Sequence, residues 1–205
     1  RAGAEILVRQ LELHGVDTVY CVPGESYIAA LDALHDARER IRLVVCRQEG
    51  GAANMAEAYG KLTGRPGVCF VTRGPGATNA SIGVHTAFQD STPMLLLVGQ
   101  VARGHRGREA FQEVDYRQMF APLAKWTTEV DDPARLPELV SRAFTTAVSG
   151  RPGPVVLALP EDMLVERVQV ADAGPYRPVQ AHPGAAELAA MRELGRDAPP
   201  WSPDR

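Results

Sequence analysis

The chain has 205 residues, 45% of them hydrophobic and 23% charged, with a formal net charge of -3. That is the profile of an ordinary globular protein, long enough for one full core and the start of another unit. The charge balance and the lack of any basic run give no sign of a nucleic-acid partner, and none is expected; no apolar stretch approaches the roughly 18 residues that cross a bilayer.

Helices and strands alternate from the start. Ala4 to His14 carries apolar residues at helical spacing (Ile6, Leu7, Leu11) and is stopped by Gly15. Thr18 to Val22 reads as a short buried strand closed by Pro23-Gly24, and Tyr27 to Ala37 returns to helical spacing. Ile41 to Cys46 is expected as a second buried strand, followed by a Gly/Ala-rich helix from Glu49 to about Leu62. Gly67 to Thr72 is the third strand, and Gly74-Pro75-Gly76-Ala77-Thr78-Asn79 opens a helix to about Phe88. Pro93 to Val98 is a fourth strand, with a long irregular stretch from Gly99 to Asp115 after it. Lys125 to Val130, Arg135 to Val148 and Pro154 to Leu159 read as strand, helix and strand.

Near-continuous aliphatic strands separated by helices imply an α/β, doubly wound fold: a mostly parallel, six-stranded sheet with helices on both faces. Residues 1–165 are expected to form this domain. Residues 166–205 read as a Gly/Pro-rich linker and the truncated start of a central domain, with a helix at Ala185 to Leu194 and a proline-broken end.

Cys21, Cys46 and Cys69 fall in predicted buried strands without a pair spacing, so they read as reduced core thiols and not as a metal site. No metal ligands are expected in this chain. Arg1 to Glu5 has no apolar signal core, which gives a cytoplasmic expectation.

Glu49 stands where the second strand runs into the helix start Gly50-Gly51-Ala52-Ala53. Acids at the carboxyl ends of parallel strands lie where such sheets keep their chemistry. Helix-dipole stabilisation would suit an acid here too, but it does not ask for the glycines. With so little bulk around it, Glu49 is expected to be poorly solvated, with raised proton affinity, and the glycines to admit a planar group. The loop at Gly74 to Asn79 sits where a phosphate cradle would, yet Asn79 replaces the third glycine of a dinucleotide fingerprint and no P-loop lysine follows.

Six segments occur in order: Cys21-Val22-Pro23-Gly24, Glu49 to Gly60, Gly74 to Asn79, Asp90-Ser91-Thr92-Pro93-Met94, Phe111-Gln112-Glu113-Val114-Asp115 and Gly150 to Val155. Together they resemble the N-terminal, pyrimidine-binding domain of thiamine-diphosphate enzymes of the acetolactate synthase and pyruvate oxidase group. The resemblance implies that Glu49 activates the cofactor, hydrogen-bonding N1′ of the aminopyrimidine and favouring the imino form that takes the thiazolium C2 proton. Pro23, Gly24, Pro75, Asn79 and Gln112 match positions touching the cofactor or the reaction centre, and small Gly74 and Gly76 would let the ring lie against backbone. It further implies a small 2-keto acid substrate, thiamine diphosphate, Mg²⁺ held by a domain absent here, and a homodimer or tetramer completing each site across an interface. FAD is left open, since its determinants lie in later domains. The fragment alone is expected to be inactive and to bind thiamine diphosphate weakly or not at all.

Two positions depart from the acetolactate pattern. Glu25 follows Pro23-Gly24 where a second glycine is usual, and is read as capping the helix from Tyr27. Glu161 stands in Leu159-Pro160-Glu161-Asp162 where Lys is usual. They leave a simple 2-keto-acid decarboxylase, or a non-catalytic nucleotide-binding or regulatory module, as alternatives. His85 is read as a packing residue, and Arg103, His105, Arg106 and Arg108 as a solvated, mobile loop, with an active-site lid or subunit contact as the sharper reading.

Overall fold

The computed structural model describes residues 1–177 and 184–196. Its helices are α1 (Gly3–Leu13), α2 (Ile28–Asp36), α3 (Glu49–Thr63), α4 (Pro75–Gln89), α5 (Tyr116–Phe120), α6 (Leu136–Val148), α7 (Glu161–Val165) and α8 (Ala185–Arg196). Its strands are β1 (Thr18–Cys21), β2 (Arg42–Val45), β3 (Gly67–Val71), β4 (Met94–Gln100), β5 (Trp126–Glu129) and β6 (Pro154–Pro160). Every pairing is parallel, in the order β2-β1-β3-β4-β6-β5.

The expected doubly wound α/β sheet is therefore present. Alternate strand residues face opposite layers, as strand geometry requires. Val68, Phe70, Leu95 and Leu97 pack with α1, α2 and α6, while Cys69, Val71, Leu96 and Val98 pack with α3, α4 and α5. The first layer is built from large side chains, with Tyr27 stacked on Phe70 at 4.1 Å between ring centroids. The second is built largely from alanines, Ala52, Ala53, Ala56, Ala77, Ala80 and Ala87 among them.

Small residues let elements approach more closely than side chains allow. A Cβ on Gly83 of α4 would lie 2.5 Å from the Ala53 Cβ of α3, and one on Gly67 would lie 1.9 Å from the Ala56 carbonyl oxygen. Gly83 and Gly67 thus let α4 and β3 pack on α3, at contact distances native cores do not tolerate with side chains present.

Three expectations about burial fail. β2 is not buried: it is an edge strand, with Arg42 exposed and Val45 61% exposed. An apolar run shows that a strand forms and is silent about whether anything lies beside it. Cys46, just beyond β2, is only half-buried for the same reason, whereas Cys21 and Cys69 are core thiols. All three are free, and burial raises the pKa of each, most strongly at Cys69. His85 is exposed on α4 instead of packed.

Residues beyond α7 run back along α1. Ala2 and Arg167 form an antiparallel bridge, and the Val168 N–H donates to the Arg1 carbonyl at 2.9 Å. Further on, the Tyr176 N–H donates to His14 Nδ1 at 3.0 Å, and His14 stacks on Phe144 at 4.7 Å. α8 is exposed along its whole length. The proline-broken end, Trp201 and the centre of the expected linker lie outside the described residues.

This contact carries a pH dependence. Nδ1 accepts from Tyr176, so His14 is neutral there, and burial holds its pKa below the ordinary imidazole value. The unfolded chain, with an imidazole near 6.5, takes up a proton more readily than the folded one. The stabilisation is therefore complete above about pH 6.5 and declines as pH falls through the lower folded value. His14→Phe keeps the stack but cannot charge. Thermal melts from pH 7.5 to 5 should show wild type losing stability more steeply than this variant; parallel profiles would count against the contact.

Candidate functional site

The sheet order reverses between β1, whose crossover runs outward to β2, and β3, from which the chain winds the other way. A crevice opens at the carboxyl ends of strands at such a point, the usual ligand position in this architecture. The loop after β1 holds Pro23 and Gly24, and the loop after β3 holds Thr72, Arg73, Gly74 and Pro75.

The two loops are fitted together by polar and steric contacts. A Cβ on Gly24 would lie 2.4 Å from the Thr72 Cβ, so only glycine allows this approach. Ser26 and Thr72 hydroxyls are 2.8 Å apart, and the Arg73 N–H donates to Ser26 Oγ at 3.2 Å. Gly99 at the end of β4 makes room for Ser26, whose Oγ would otherwise lie 2.1 Å from a Cβ. Glu25 is exposed and makes no side-chain cap; Gly24 occupies the N-cap position of the short 3-10 turn Glu25–Tyr27. The expected capping role of Glu25 is not observed.

Glu49 is the first residue of α3, where the exposed amides of the first turn favour an acid. The preceding Gln48 caps the helix by accepting from the Gly51 N–H at 2.9 Å. One turn into α4, Asn79 Nδ2 donates to Glu49 Oε2 at 3.0 Å. The close approach of α3 and α4 at Gly83 and Ala53 brings this pair together. Among the described residues no protein donor reaches Glu49 Oε1. One carboxylate oxygen is thus oriented by an amide, and the other is open to a ligand.

The enclosure expected around Glu49 is not present in this chain. The side chain is half-buried, and Asn79, Pro75 and Pro23 are exposed beside the crevice. Gly50 faces α4, where a Cβ would meet Ile82 Cγ2 at 3.2 Å, and only Gly51 looks into open space. Gly74 and Gly76 do not offer an open backbone face either. A Cβ at Gly74 would meet the Gln112 Cβ at 2.7 Å, and one at Gly76 would meet Thr72 Cγ2 at 2.9 Å.

Gly74 takes φ 57° and donates its N–H to Tyr116 Oη at 2.8 Å. Burial pushes the Tyr116 hydroxyl up to about 12, so it remains protonated at neutral pH. Gln112 packs on Gly74 with φ 62°, a left-handed conformation uncommon for a residue with a side chain. The site residues thus form two groups, Glu49 with Asn79 and Gln112 with Gly74. No hydrogen bond joins Gln112 to Glu49 among the described residues.

Residues 1–119 match the family model described as thiamine pyrophosphate enzyme, N-terminal TPP binding domain. The chain belongs to the thiamine pyrophosphate enzymes. It is similar to the acetolactate synthase large subunit of Parasynechococcus marenigrum, with 41% identity over 185 residues, 89% of this chain and 30% of that protein. Acetolactate synthase isozyme 3 large subunit of Escherichia coli is 44% identical over 163 residues, 80% of this chain and 28% of that protein. A probable acetolactate synthase large subunit of Methanocaldococcus jannaschii is 39% identical over 161 residues, covering 78% and 27%. The chain spans less than a third of the length of each of these three relatives. Within that family it matches the N-terminal TPP binding domain.

For a thiamine pyrophosphate enzyme, the residues that sequence reasoning missed are those behind the crevice: Ser26, Thr72, Arg73 and Tyr116. Asp115 did carry a readable signal, since its side chain caps α5 by accepting from the Gln118 N–H at 3.2 Å. The basic cluster is not a solvated loop. Arg103 bonds Asp162 at 2.8 Å and Glu166 at 2.6 Å, and Arg106 bonds Glu129 at 2.7 Å and Asp131 at 2.9 Å. His105 and Arg108 remain exposed.

Proposed function

We propose that this domain supplies the pyrimidine half of an active site in which a 2-keto acid is decarboxylated and the remaining carbon unit is joined to a second carbonyl. The observation that carries this reading is the Glu49–Asn79 pair at the sheet's switch point, with one carboxylate oxygen left open. A carboxylate so placed can share a proton with a weakly basic ring nitrogen. Thiamine diphosphate, when bound, supplies the carbon nucleophile that attacks the keto acid.

Asn79 fixes the carboxylate, Pro23 and Pro75 border the ring site, and Gln112 contacts the reaction centre from the other side of the crevice. Gly24 acts by letting the two loops close on each other. In this reading the diphosphate and Mg²⁺ are held by another domain, which fits the chain's share of its relatives' length. The pyrimidine domain is taken as residues 1–165, with 166–205 leading into the next unit. FAD binding stays tied to that further sequence.

The half-exposed Glu49 supports a site completed by a second protomer, as a homodimer or tetramer. Met55 and Leu62 on α3 and Ile82 on α4 are 43%, 85% and 59% exposed, and offer apolar surface for it. Three reduced thiols fit a cytoplasmic setting, and no helix among the described residues is long and apolar enough to cross a membrane.

The test is turnover by the full-length protein with thiamine diphosphate and Mg²⁺. Carbon dioxide release from pyruvate or a related 2-keto acid, with a 2-hydroxy-ketone product seen by NMR, is expected. No release from any short 2-keto acid would overturn the reading. The 205-residue chain by itself should show no calorimetric binding of thiamine diphosphate at micromolar concentrations, even with Mg²⁺ present. Micromolar affinity would mean that one chain holds the cofactor unaided.

A further inference from the structure

Arg73 lies next to the ring site, and its side chain is 9% exposed. Nε donates to the Phe111 carbonyl at 3.2 Å, and Nη1 donates to Glu161 Oε2 at 3.0 Å. One guanidinium therefore spans two segments far apart in the chain, the loop bearing Gln112 and the first residue of α7. A planar fork can do this, because its donors diverge in fixed directions.

The loop needs such an anchor. Gln112 holds a left-handed conformation, φ 62°, that a residue with a side chain adopts only when its surroundings hold it there. Apolar packing reaches only its far end, at Val114, and Phe111 beside Gln112 is 75% exposed. The loop is gripped by its backbone: Phe111 by Arg73, and Val114 by Gln100 Nε2 at 3.0 Å. The Glu113 carboxylate closes it internally by accepting from the Gly107 and Ala110 N–H groups at 2.5 and 3.0 Å. Arg73 is the charged member of this set that reaches in from the ring site, and a buried guanidinium requires its own partner. Glu161 supplies it.

We propose that Arg73 and Glu161 form a positioning pair that fixes the Gln112 loop against the ring site. This rests on the role assigned to Gln112 above. Arg73 acts through the Phe111 backbone, and Glu161 acts through Arg73. The carboxylate at 161 is thus a structural requirement of the arginine at 73, and the two should change together.

Hydrogen exchange in the full-length protein tests this without reference to catalysis. Glu161→Gln removes a half-exposed charge and should leave the fold intact, yet amides of residues 110–114 should exchange about tenfold faster, the scale of one charge-assisted hydrogen bond. Arg73→Lys should do the same, because one ammonium cannot reach both partners in the guanidinium's geometry. The double variant should be no worse than the poorer single variant, as for residues that act as a unit. In the loaded enzyme the same variants should lower kcat for the keto acid about tenfold, with thiamine diphosphate affinity unchanged. Unchanged exchange in Glu161→Gln, or additive effects in the double variant, would overturn the pair. Faster exchange with unaltered kcat would overturn its positioning role. Failure of the proposed function shows elsewhere, in keto-acid turnover by the wild-type protein.

Discussion

Glu49→Gln in the full-length enzyme is expected to slow exchange of the C2 proton of bound thiamine diphosphate by about 10²- to 10⁴-fold, the usual contribution of a positioned acid–base group. The substitution changes little else. A Gln side-chain oxygen can still accept from Asn79 Nδ2, which now bonds Glu49 Oε2 at 3.0 Å. What is lost is the open carboxylate oxygen, replaced by an amide that cannot take up a proton. Cofactor affinity and melting temperature should therefore stay near wild type while exchange, followed by NMR in deuterated buffer, collapses. Exchange at the wild-type rate would remove the acid from the mechanism and leave a binding module without chemistry.

The second large effect is expected from Gly83→Val. The new Cβ would begin 2.5 Å from the Ala53 Cβ and 2.7 Å from the Ala53 carbonyl carbon, against backbone that cannot swing aside. Overpacking of this kind costs about 1–3 kcal/mol, and a chain of this size loses about 2–4 °C per kcal/mol, so a drop of roughly 2–12 °C is expected. The same wedge separates α4 from α3 and draws Asn79 away from Glu49, so cofactor activation should fall with stability. Gly51→Ala is the control for the isolated chain. Its Cβ would meet nothing within 4 Å, and replacing a helical glycine should stabilise by about 0.5–1 kcal/mol. Equal melting temperatures for Gly83→Val and wild type would show that α3 and α4 are not held at contact distance.

Most strands were readable as short apolar runs, several of them bounded by glycine or proline, and all six begin and end within two residues of their expected limits. α5 and α7 were not, because five residues make little more than one turn and show no periodicity. Glu49 could be picked out as an acid at a strand-to-helix junction, whereas Asn79 was pointed to only by the family resemblance. The purpose of the glycines beside them could not be picked out. Gly50, Gly74 and Gly76 looked like openings for a flat ligand, whereas each faces protein, and that depends on which element lies opposite. Likewise β2 carries the apolar signature of an inner strand but lies at the sheet's edge, since pattern encodes the strand and topology decides its neighbours. The Arg73–Glu161 pair joins residues 88 positions apart, beyond the reach of any local rule.

The bridge between Ala2 and Arg167, with Val168 bonded back to Arg1, has an architectural consequence. The path into the domain and the path out of it lie side by side, zipped at a single seam. Such a unit can be spliced into a larger polypeptide, or have its order of segments permuted, without disturbing the crevice formed by the loops after β1 and β3.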